Sequence, residues 1–286
     1  MSLLVTGPRG FIASRLVRLL REDGRHVVEL PPGVDVCGMA DFETSAEVVF
    51  HLAARNQERD FVSDPHGAMR TNVLGTVAAL EYCRRRGARM VFASTSGVYA
   101  VDPSREQYSE DSPVHPARAY PASKAVAEEL CAHYATTFGV EVVVLRLFNV
   151  YGPGQVKPFL IPDILEALRA NLPLPVRMPN AVRDFVHVDD VVAAFLRAAE
   201  VPVKGMKVFN IGCGRGTTVR EIVSVCEHVS GHRALIQAAP TDQNEVNAIS
   251  ADVSRARREL GWESHIPLEA GLAGTWEALV KAGRDS

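Results

Sequence analysis

Short apolar runs rich in β-branched residues, separated by stretches of helical periodicity, are the feature that most constrains how this chain folds. The apolar runs lie at residues 3–5, 26–30, 48–52, 90–93, 140–147 and 207–211, and the helical patterns at 11–21, 71–86, 122–138 and 188–200. Strands that are apolar at nearly every position are usually buried on both faces of a sheet. The pattern therefore predicts an α/β fold, with a doubly wound parallel sheet that carries helices on both sides.

Composition and charge exclude several classes of partner. The chain has 286 residues, of which 47% are hydrophobic and 23% charged, as in ordinary globular proteins. Its formal net charge is −3, and 31 basic residues are scattered among 34 acidic ones. This balance gives no electrostatic footprint for nucleic acid or an anionic membrane. No apolar run approaches the roughly 20 residues of a membrane helix, and no leader is recognisable. We expect a cytoplasmic protein with no nucleic-acid or membrane partner.

The five cysteines give no sign of a metal site or of a disulfide framework. No Cys-x-x-Cys pair and no His/Cys cluster with zinc spacing occurs in the sequence. We expect buried free thiols and no bound metal.

A glycine-containing turn lies between the first strand and the first helix. Gly7 and Gly10 flank Arg9, and the helix begins with Phe11 and Ile12. Glycines allow a sharp turn and a close approach of the backbone to a pyrophosphate, which the free N–H groups of a helix N-terminus stabilise. In this position the turn predicts a dinucleotide site and a Rossmann-like sheet.

A second cluster suits acid–base chemistry. Tyr120 and Lys124 are four positions apart and share one helical face, so the ammonium can lower the pKa of the phenol from about 10. Such a tyrosine is a general base for an alcohol and a general acid for a ketone. Ser94, Thr95 and Ser96 follow a strand, where ligands bind in open α/β sheets. A hydroxyl there can share the oxygen of a substrate with Tyr120.

These motifs, in this order, resemble the extended short-chain dehydrogenase/reductases of the NAD-dependent epimerase/dehydratase family, best known for nucleotide-sugar enzymes. The resemblance covers nearly the whole chain and includes the glycine turn, the Ser/Thr turn, the Tyr/Lys pair and residues 51–54, 71–76, 145–153, 183–190, 209–212 and 251–262. It implies an NAD- or NADP-dependent enzyme with a Rossmann-like sheet and a smaller substrate-binding lobe. It also implies a homodimer formed through the helices at 71–86 and 122–138.

The prolines that interrupt the chain after residue 151 predict where the smaller lobe begins. We expect residues 1–152 to form the dinucleotide-binding domain, with a return segment at about 184–211. Residues 153–183 and 212–286 then form the mostly C-terminal α/β lobe that binds substrate. From residue 212 onward we expect helices and loops, but no sheet-building units.

The resemblance implies a role for individual residues. Thr95 matches the catalytic hydroxyl, Tyr120 the acid/base, and Lys124 the residue that binds the nicotinamide ribose and tunes the tyrosine. Arg183 matches an arginine that touches a sugar-nucleotide phosphate, although a surface ion pair with Asp184 is the alternative for this side chain. The substrate contacts are expected at Thr95, Ser96, Asn149 and Arg183. The cofactor contacts are expected at Gly7, Arg9, Gly10, Phe11, Ile12, Leu52, Ala53, Ala54, Asn72, Ser94, Tyr120 and Lys124.

Two departures from the family pattern leave the choice of cofactor open. The acidic residue expected after the second strand, which would bind the adenosine ribose, is replaced by Pro31, and Glu29 lies two residues too early. Arg9 resembles the arginine that NADP-using relatives place near the 2′-phosphate. The cofactor is therefore NAD or NADP, with a slight preference for NADP.

Further departures bear on the reaction. Ser96 and Gly97 stand where dehydratases of the family carry a carboxyl pair, so dehydration lacks its acid and base. The stretch 240–245 lacks the arginine that many relatives use for the diphosphate, which weakens the case for a nucleotide-linked sugar. We expect a sugar 4-epimerase acting through a transient 4-keto intermediate, most simply on a nucleotide sugar. The alternatives are a 4-ketoreductase or dehydrogenase of a nucleotide deoxysugar and, more remotely, a non-catalytic dinucleotide sensor.

Overall fold

The structure, a computed structural model, describes residues 2–31, 33–100, 102, 104–105, 107–239 and 248–283. Within these residues the strands are β1 (Leu3–Thr6), β2 (Val27–Glu29), β3 (Val48–His51), β4 (Arg89–Thr95), β5 (Gln107–Tyr108), β6 (Val142–Leu147), β7 (Asn149–Tyr151), β8 (Pro173–Val176), β9 (Val182–His187), β10 (Met206–Ile211), β11 (Gly216–Thr218), β12 (Leu235–Ala238) and β13 (Ala248–Ala251).

The helices in the same residues are α1 (Phe11–Glu22), α2 (Glu58–Ser63), α3 (Pro65–Met69), α4 (Gly75–Arg86), α5 (Ala119–Phe138), α6 (Leu160–Ala170), α7 (Val188–Glu200), α8 (Val219–Ser230) and α9 (Leu268–Ala282). A wider turn at Arg70–Leu74 joins α3 to α4, so the two form one helical segment. None of the helices in the described ranges combines the length and the apolarity that a membrane span requires.

Six parallel strands build the central sheet, in the order β10-β6-β4-β3-β1-β2. Successive residues of each strand enter opposite cores, as Leu3 and Leu4 of β1 do. One core contains the apolar faces of α1 and α7, and the other those of α4 and α5. Helices therefore cover both faces, and the predicted doubly wound, Rossmann-like α/β fold is confirmed.

The connection from β2 to β3 is short and contains a two-turn 3₁₀ helix, Val36–Asp41. This helix packs on α4, where a Cβ on Gly75 would lie 2.6 Å from Cγ1 of Val36. β2 forms one edge of the central sheet.

A second sheet lies outside the central one, in the order β11-β9-β13-β5, with β7 beside β9. A separate two-stranded sheet pairs β12 with β8. The expectation that residues after 212 build no sheet is therefore wrong. These strands have three or four residues each and pair with distant segments, so they carry no local periodicity.

The return segment is more limited than the sequence suggests. α7 and β10 rejoin the central sheet, whereas β9 pairs with β7, β11 and β13. A third core, between α6, α8 and α9, supports this second region. The boundaries of the two functional lobes stay a prediction.

Candidate active site

The turn after β1 has the geometry of an anion cradle. Gly7 has a positive φ of 64°, and a Cβ on it would lie 2.9 Å from Cα of Ala53, so glycine is required there. The N–H of Gly10 donates to the carbonyl of Gly7 at 2.9 Å and closes the turn. Gly10 precedes α1 without a side-chain cap among the described residues. The first N–H groups of α1, including those of Phe11 and Ile12, are therefore free to bind an anion.

Thr6 fixes the loop after β3 against this turn. Its hydroxyl oxygen accepts from the backbone N–H groups of Leu52 at 3.1 Å and Ala53 at 3.0 Å. Both lone pairs are thus used, and the hydroxyl proton is donated to Nδ1 of His51 at 2.9 Å. The ring proton of His51 must then lie on Nε2, which donates to the hydroxyl of Thr76 at 3.1 Å. Burial lowers the pKa of His51 to about 3, so the ring is neutral at physiological pH.

Asn72 joins the same loop to the helix that carries the Tyr/Lys pair. Its Oδ1 accepts from the N–H of Arg55 at 2.9 Å, and its Nδ2 donates to the carbonyl of Arg55 and to the hydroxyl of Ser123, each at 2.9 Å. Ser123 in turn donates to the carbonyl of Tyr120 at 2.7 Å. The side-chain amide of Asn72 is therefore used within the protein, while its contact with a cofactor stays a prediction. Ala54 lies in the same loop and is half-buried.

Tyr120 and Lys124 lie in the first two turns of α5. Pro121 suits this helix start because its missing N–H would have no intrahelical acceptor there. Tyr120 is half-buried, and burial raises the pKa of its phenol. Lys124 is only 2% exposed, and its Nζ lies 4.5 Å from the centre of the Phe92 ring. Burial lowers the pKa of Lys124 to about 8, so its ammonium is largely protonated at neutral pH.

The turn after β4 packs directly on the start of α5. The hydroxyl of Thr95 accepts from the N–H of Gly97 at 3.2 Å, and a Cβ on Gly97 would lie 2.8 Å from Cγ of Pro121. The hydroxyl-bearing turn and the tyrosine-bearing turn are therefore neighbours. Thr95 is half-buried and Ser96 is buried. The hydroxyl of Ser94 points inward and donates to a carboxylate of α5, so any cofactor contact of Ser94 must involve its backbone.

Asn149 and Arg183, expected to contact substrate, belong to the neighbouring strands β7 and β9. Nδ2 of Asn149 donates to the carbonyl of Asp184 at 3.2 Å, and Nη1 of Arg183 donates to the carbonyl of Val182 at 3.0 Å. Both side chains are half-buried. The stretch 240–245, where the missing arginine was noted, lies outside the described residues.

The sequence did not predict that Asp184 organises the backbone in this part of the fold. The alternative of a surface ion pair with Arg183 is wrong for its carboxylate, which is fully buried. It accepts from the backbone N–H groups of Cys213 at 2.7 Å, Gly214 at 2.9 Å and Ala251 at 3.0 Å. Burial raises the pKa of Asp184, and these hydrogen bonds oppose that shift. The only signal in the sequence was its position beside Arg183.

The adenosine end of the cradle has no unpaired carboxylate at β2. Glu29 forms an ion pair with Arg21 of α1 at 2.5 Å, and Pro31 follows the strand. Arg9 is exposed and forms no ion pair with any described residue. Beside the Gly7 turn, the described residues therefore present an exposed guanidinium and a carboxylate that is already paired.

Comparison with known proteins agrees with this geometry. Residues 3–212 match the sequence model of the NAD dependent epimerase/dehydratase family. The UDP-glucose 4-epimerase of Mycolicibacterium smegmatis is 34% identical, over 97% of this chain and 98% of that protein. The structure of UDP-glucose 4-epimerase with UDP-glucose from Thermotoga maritima has a TM-score of 0.92 and 31% identity, covering 99% of both chains. MoeE5 in complex with UDP-glucuronic acid and NAD has a TM-score of 0.92 and 33% identity, covering 99% of this chain and 100% of that one.

Proposed function

Because this chain belongs to the NAD-dependent epimerase/dehydratase family, we propose that it is a 4-epimerase of a nucleotide sugar that acts through a transient 4-keto intermediate. The observation that carries the proposal is the packing of the Thr95 turn on the helix start that bears Tyr120 and Lys124, at the same edge of the parallel sheet as the Gly7 turn. The 4-epimerases among its relatives, which act on UDP-glucose and UDP-glucuronate, support UDP as the nucleotide.

Tyr120, Lys124 and Thr95 each have a separate role in the acid–base chemistry. Tyr120 takes the proton of the C4 hydroxyl when that carbon is oxidised and returns it when the ketone is reduced. Because burial raises the pKa of Tyr120, the phenol needs the nearby ammonium of Lys124 to act as a base at neutral pH. Thr95 donates a hydrogen bond to the same substrate oxygen. When bound, the nicotinamide supplies reversible hydride transfer.

Epimerisation also requires the keto-sugar to present its other face. Arg183 and Asn149 hold the nucleotide end and leave the sugar free to rotate. Ser96 and Gly97 supply no carboxylate in the turn after β4, which favours epimerisation over dehydration.

A 4-ketoreductase is the second candidate, and the adenosine end of the cradle favours it. Glu29 is already paired with Arg21, so no carboxylate of β2 repels a 2′-phosphate, and the exposed Arg9 can attract one. Reductases commonly use NADPH as a reductant. We therefore keep both NAD and NADP as cofactors, with a slight preference for NADP.

We also propose that the protein forms a homodimer and works in a reducing cytoplasm. The helices expected at the dimer interface expose apolar side chains, namely Leu74 before α4 and Val126 and Phe138 on α5. All five cysteines are free thiols, as a reducing compartment favours.

The test is to denature the purified protein, identify the nucleotide released, and assay the native protein on UDP-glucose. An epimerase retains NAD through purification and forms UDP-galactose without added cofactor. An empty protein that oxidises added NADPH with a UDP-4-keto-sugar is a reductase. If the protein binds a dinucleotide but turns over neither substrate, both the epimerase and the reductase proposals are wrong, and the non-catalytic dinucleotide sensor remains.

A further inference from the structure

We propose that Ser94, Glu128 and Arg146 form a buried clamp that positions Thr95 against Tyr120 and Lys124. The proposal rests on the proposed function, because the clamp acts on the acid–base groups of that reaction. The three clamp side chains are 3–5% exposed, and their polar groups are already engaged with one another and with the carbonyl of Glu110. They are therefore positioning residues.

The clamp consists of charge-assisted hydrogen bonds that converge on the carboxylate of Glu128. Nη2 of Arg146 donates to Oε2 of Glu128 at 2.7 Å, and Nε lies 3.2 Å from each carboxylate oxygen. The hydroxyl of Ser94 donates to Oε1 of Glu128. Nη1 of Arg146 donates to the carbonyl of Glu110 at 3.1 Å, and the guanidinium stacks on the ring of Tyr99 at 4.9 Å. Such a bidentate pair fixes orientation as well as distance.

Two of the clamp residues come from β4 and α5, which carry the proposed reacting groups, and the third comes from β6, the strand beside β4. Ser94 immediately precedes Thr95 at the end of β4, and Glu128 lies one turn after Lys124 on α5. Arg146 faces Ser94 as its partner residue in β6, three positions before Asn149. A shift of α5 relative to β4 would therefore separate the hydroxyl of Thr95 from the phenol, and it would have to break the clamp.

A buried ion pair is a poor device for stability alone, because desolvation cancels much of the attraction, whereas its geometry is specific. A second Arg–Glu pair, whose carboxylate is 42% exposed, joins the same two strands at their other end. Arg89, at the start of β4, donates to Glu141, just before β6, at 2.6 Å. This pair ties the amino ends of the strands, whereas the clamp ties their carboxyl ends. β4 spans seven residues, which places the pair about 20 Å from Thr95.

The clamp also controls the charge beside Tyr120. Attraction from Cys131 and Glu128 on α5 raises the pKa of Lys124 against the stronger effect of burial. Burial raises the pKa of the Cys131 thiol and lowers that of His51 to about 3, so both are neutral near pH 8. Replacing Glu128 by a neutral residue removes an attraction that raises the pKa of Lys124, so we expect that pKa to fall.

The experiment compares Glu128→Gln with the matched control Glu141→Gln, in the full-length protein and per bound cofactor. We expect Glu128→Gln to lower kcat at least about tenfold with KM for UDP-glucose within about twofold, because a small misplacement of reacting groups is costly. We also expect the alkaline limb of the kcat profile to move to lower pH. Glu141→Gln lowers the unfolding midpoint and leaves kcat unchanged. Equal effects of the two variants on kcat would overturn the proposal.

Ser94→Ala covers the case in which Glu128→Gln does not fold. It removes one hydroxyl, keeps the ion pair and the backbone of Ser94, and is expected to lower kcat about threefold, as the loss of one hydrogen bond does. An unchanged kcat would contradict the clamp.

The clamp and the proposed function fail in different ways. If the wild type converts no UDP-sugar, the proposed function is wrong. The titration of Lys124, followed by NMR and assigned with Lys124→Met, then tests the clamp without turnover. A lower Lys124 pKa in Glu128→Gln than in Glu141→Gln supports it, and identical titrations overturn it.

Discussion

The two halves of the site, which we propose bind the cofactor and the substrate, are built in different ways. In the cofactor half, Gly7 and Ala53 follow neighbouring strands of one parallel sheet, and a network of neutral groups around His51 holds them together. In the substrate half, Asn149 and Arg183 lie on a second sheet, where the buried carboxylate of Asp184 gathers backbone N–H groups from distant loops.

This difference separates the general requirements of dinucleotide binding from the features that are specific to the substrate half. A pyrophosphate cradle needs only a tight turn and free N–H groups, which one βα unit supplies. The substrate half depends on a single carboxylate that holds β9 beside the loop after β10 and the strand β13. We therefore expect changes in the cofactor half to alter dinucleotide binding, and changes around Asp184 to alter the affinity for the sugar.

The largest effect is expected at Tyr120, the proposed proton carrier. Tyr120→Phe removes the proton carrier and should lower kcat at least about 100-fold, the usual scale of acid–base catalysis. The cofactor content, measured after denaturation, should stay unchanged because the cradle is intact.

Tyr134→Phe is the matched control, because Tyr134 lies on the same helix and donates to Glu81 at 2.9 Å, away from the site. Its kcat should equal that of the wild type. A Tyr120→Phe protein as active as this control would sink the assigned mechanism.

Gly7→Ala tests the cofactor half alone. The new Cβ meets Cα of Ala53 at 2.9 Å, so the turn must move and its N–H groups lose their alignment. Dinucleotide affinity, measured by titration calorimetry, should fall about 30-fold, which corresponds to about 2 kcal/mol. Gly24→Ala is the control, because Gly24 has a similar φ of 70° but nothing within 4 Å of its Cβ position. Equal losses of affinity would mean that the contact with Ala53 is unimportant.

Asp184→Asn tests the substrate half. One carboxylate oxygen becomes an NH2 group, which cannot accept a hydrogen bond, so either the N–H of Cys213 or the N–H groups of Gly214 and Ala251 lose their acceptor. Removing hydrogen bonds to a charged group should raise KM for UDP-glucose about tenfold, while the dinucleotide content is unchanged. A variant that loses dinucleotide instead would show that the two halves are not separable.

The same comparison explains what the sequence could predict. The central strands were predicted to within a few residues, because each is apolar at most of its positions. The glycine turn and the Tyr/Lys pair are local patterns as well. By contrast, Glu128 and Arg146 meet only because α5 packs across β4 and β6. β11 is short and largely polar, and it acquires a partner only in the folded chain. Asp184 resembled a surface residue because its partners are backbone N–H groups, which a sequence does not display.

The smallest effect is expected at Arg9, the residue that we propose makes the cofactor half prefer NADP. Arg9 is exposed, so its attraction for a 2′-phosphate is screened by solvent. Arg9→Ala should weaken NADP binding about fivefold and NAD binding less than twofold, since exposed ion pairs contribute up to about 1 kcal/mol. The preference should also shrink in the wild type as salt is raised, which competition binding at two ionic strengths would reveal. If Arg9→Ala weakens both dinucleotides equally, Arg9 contacts a part that they share, and the preference for NADP loses the attraction on which it rests.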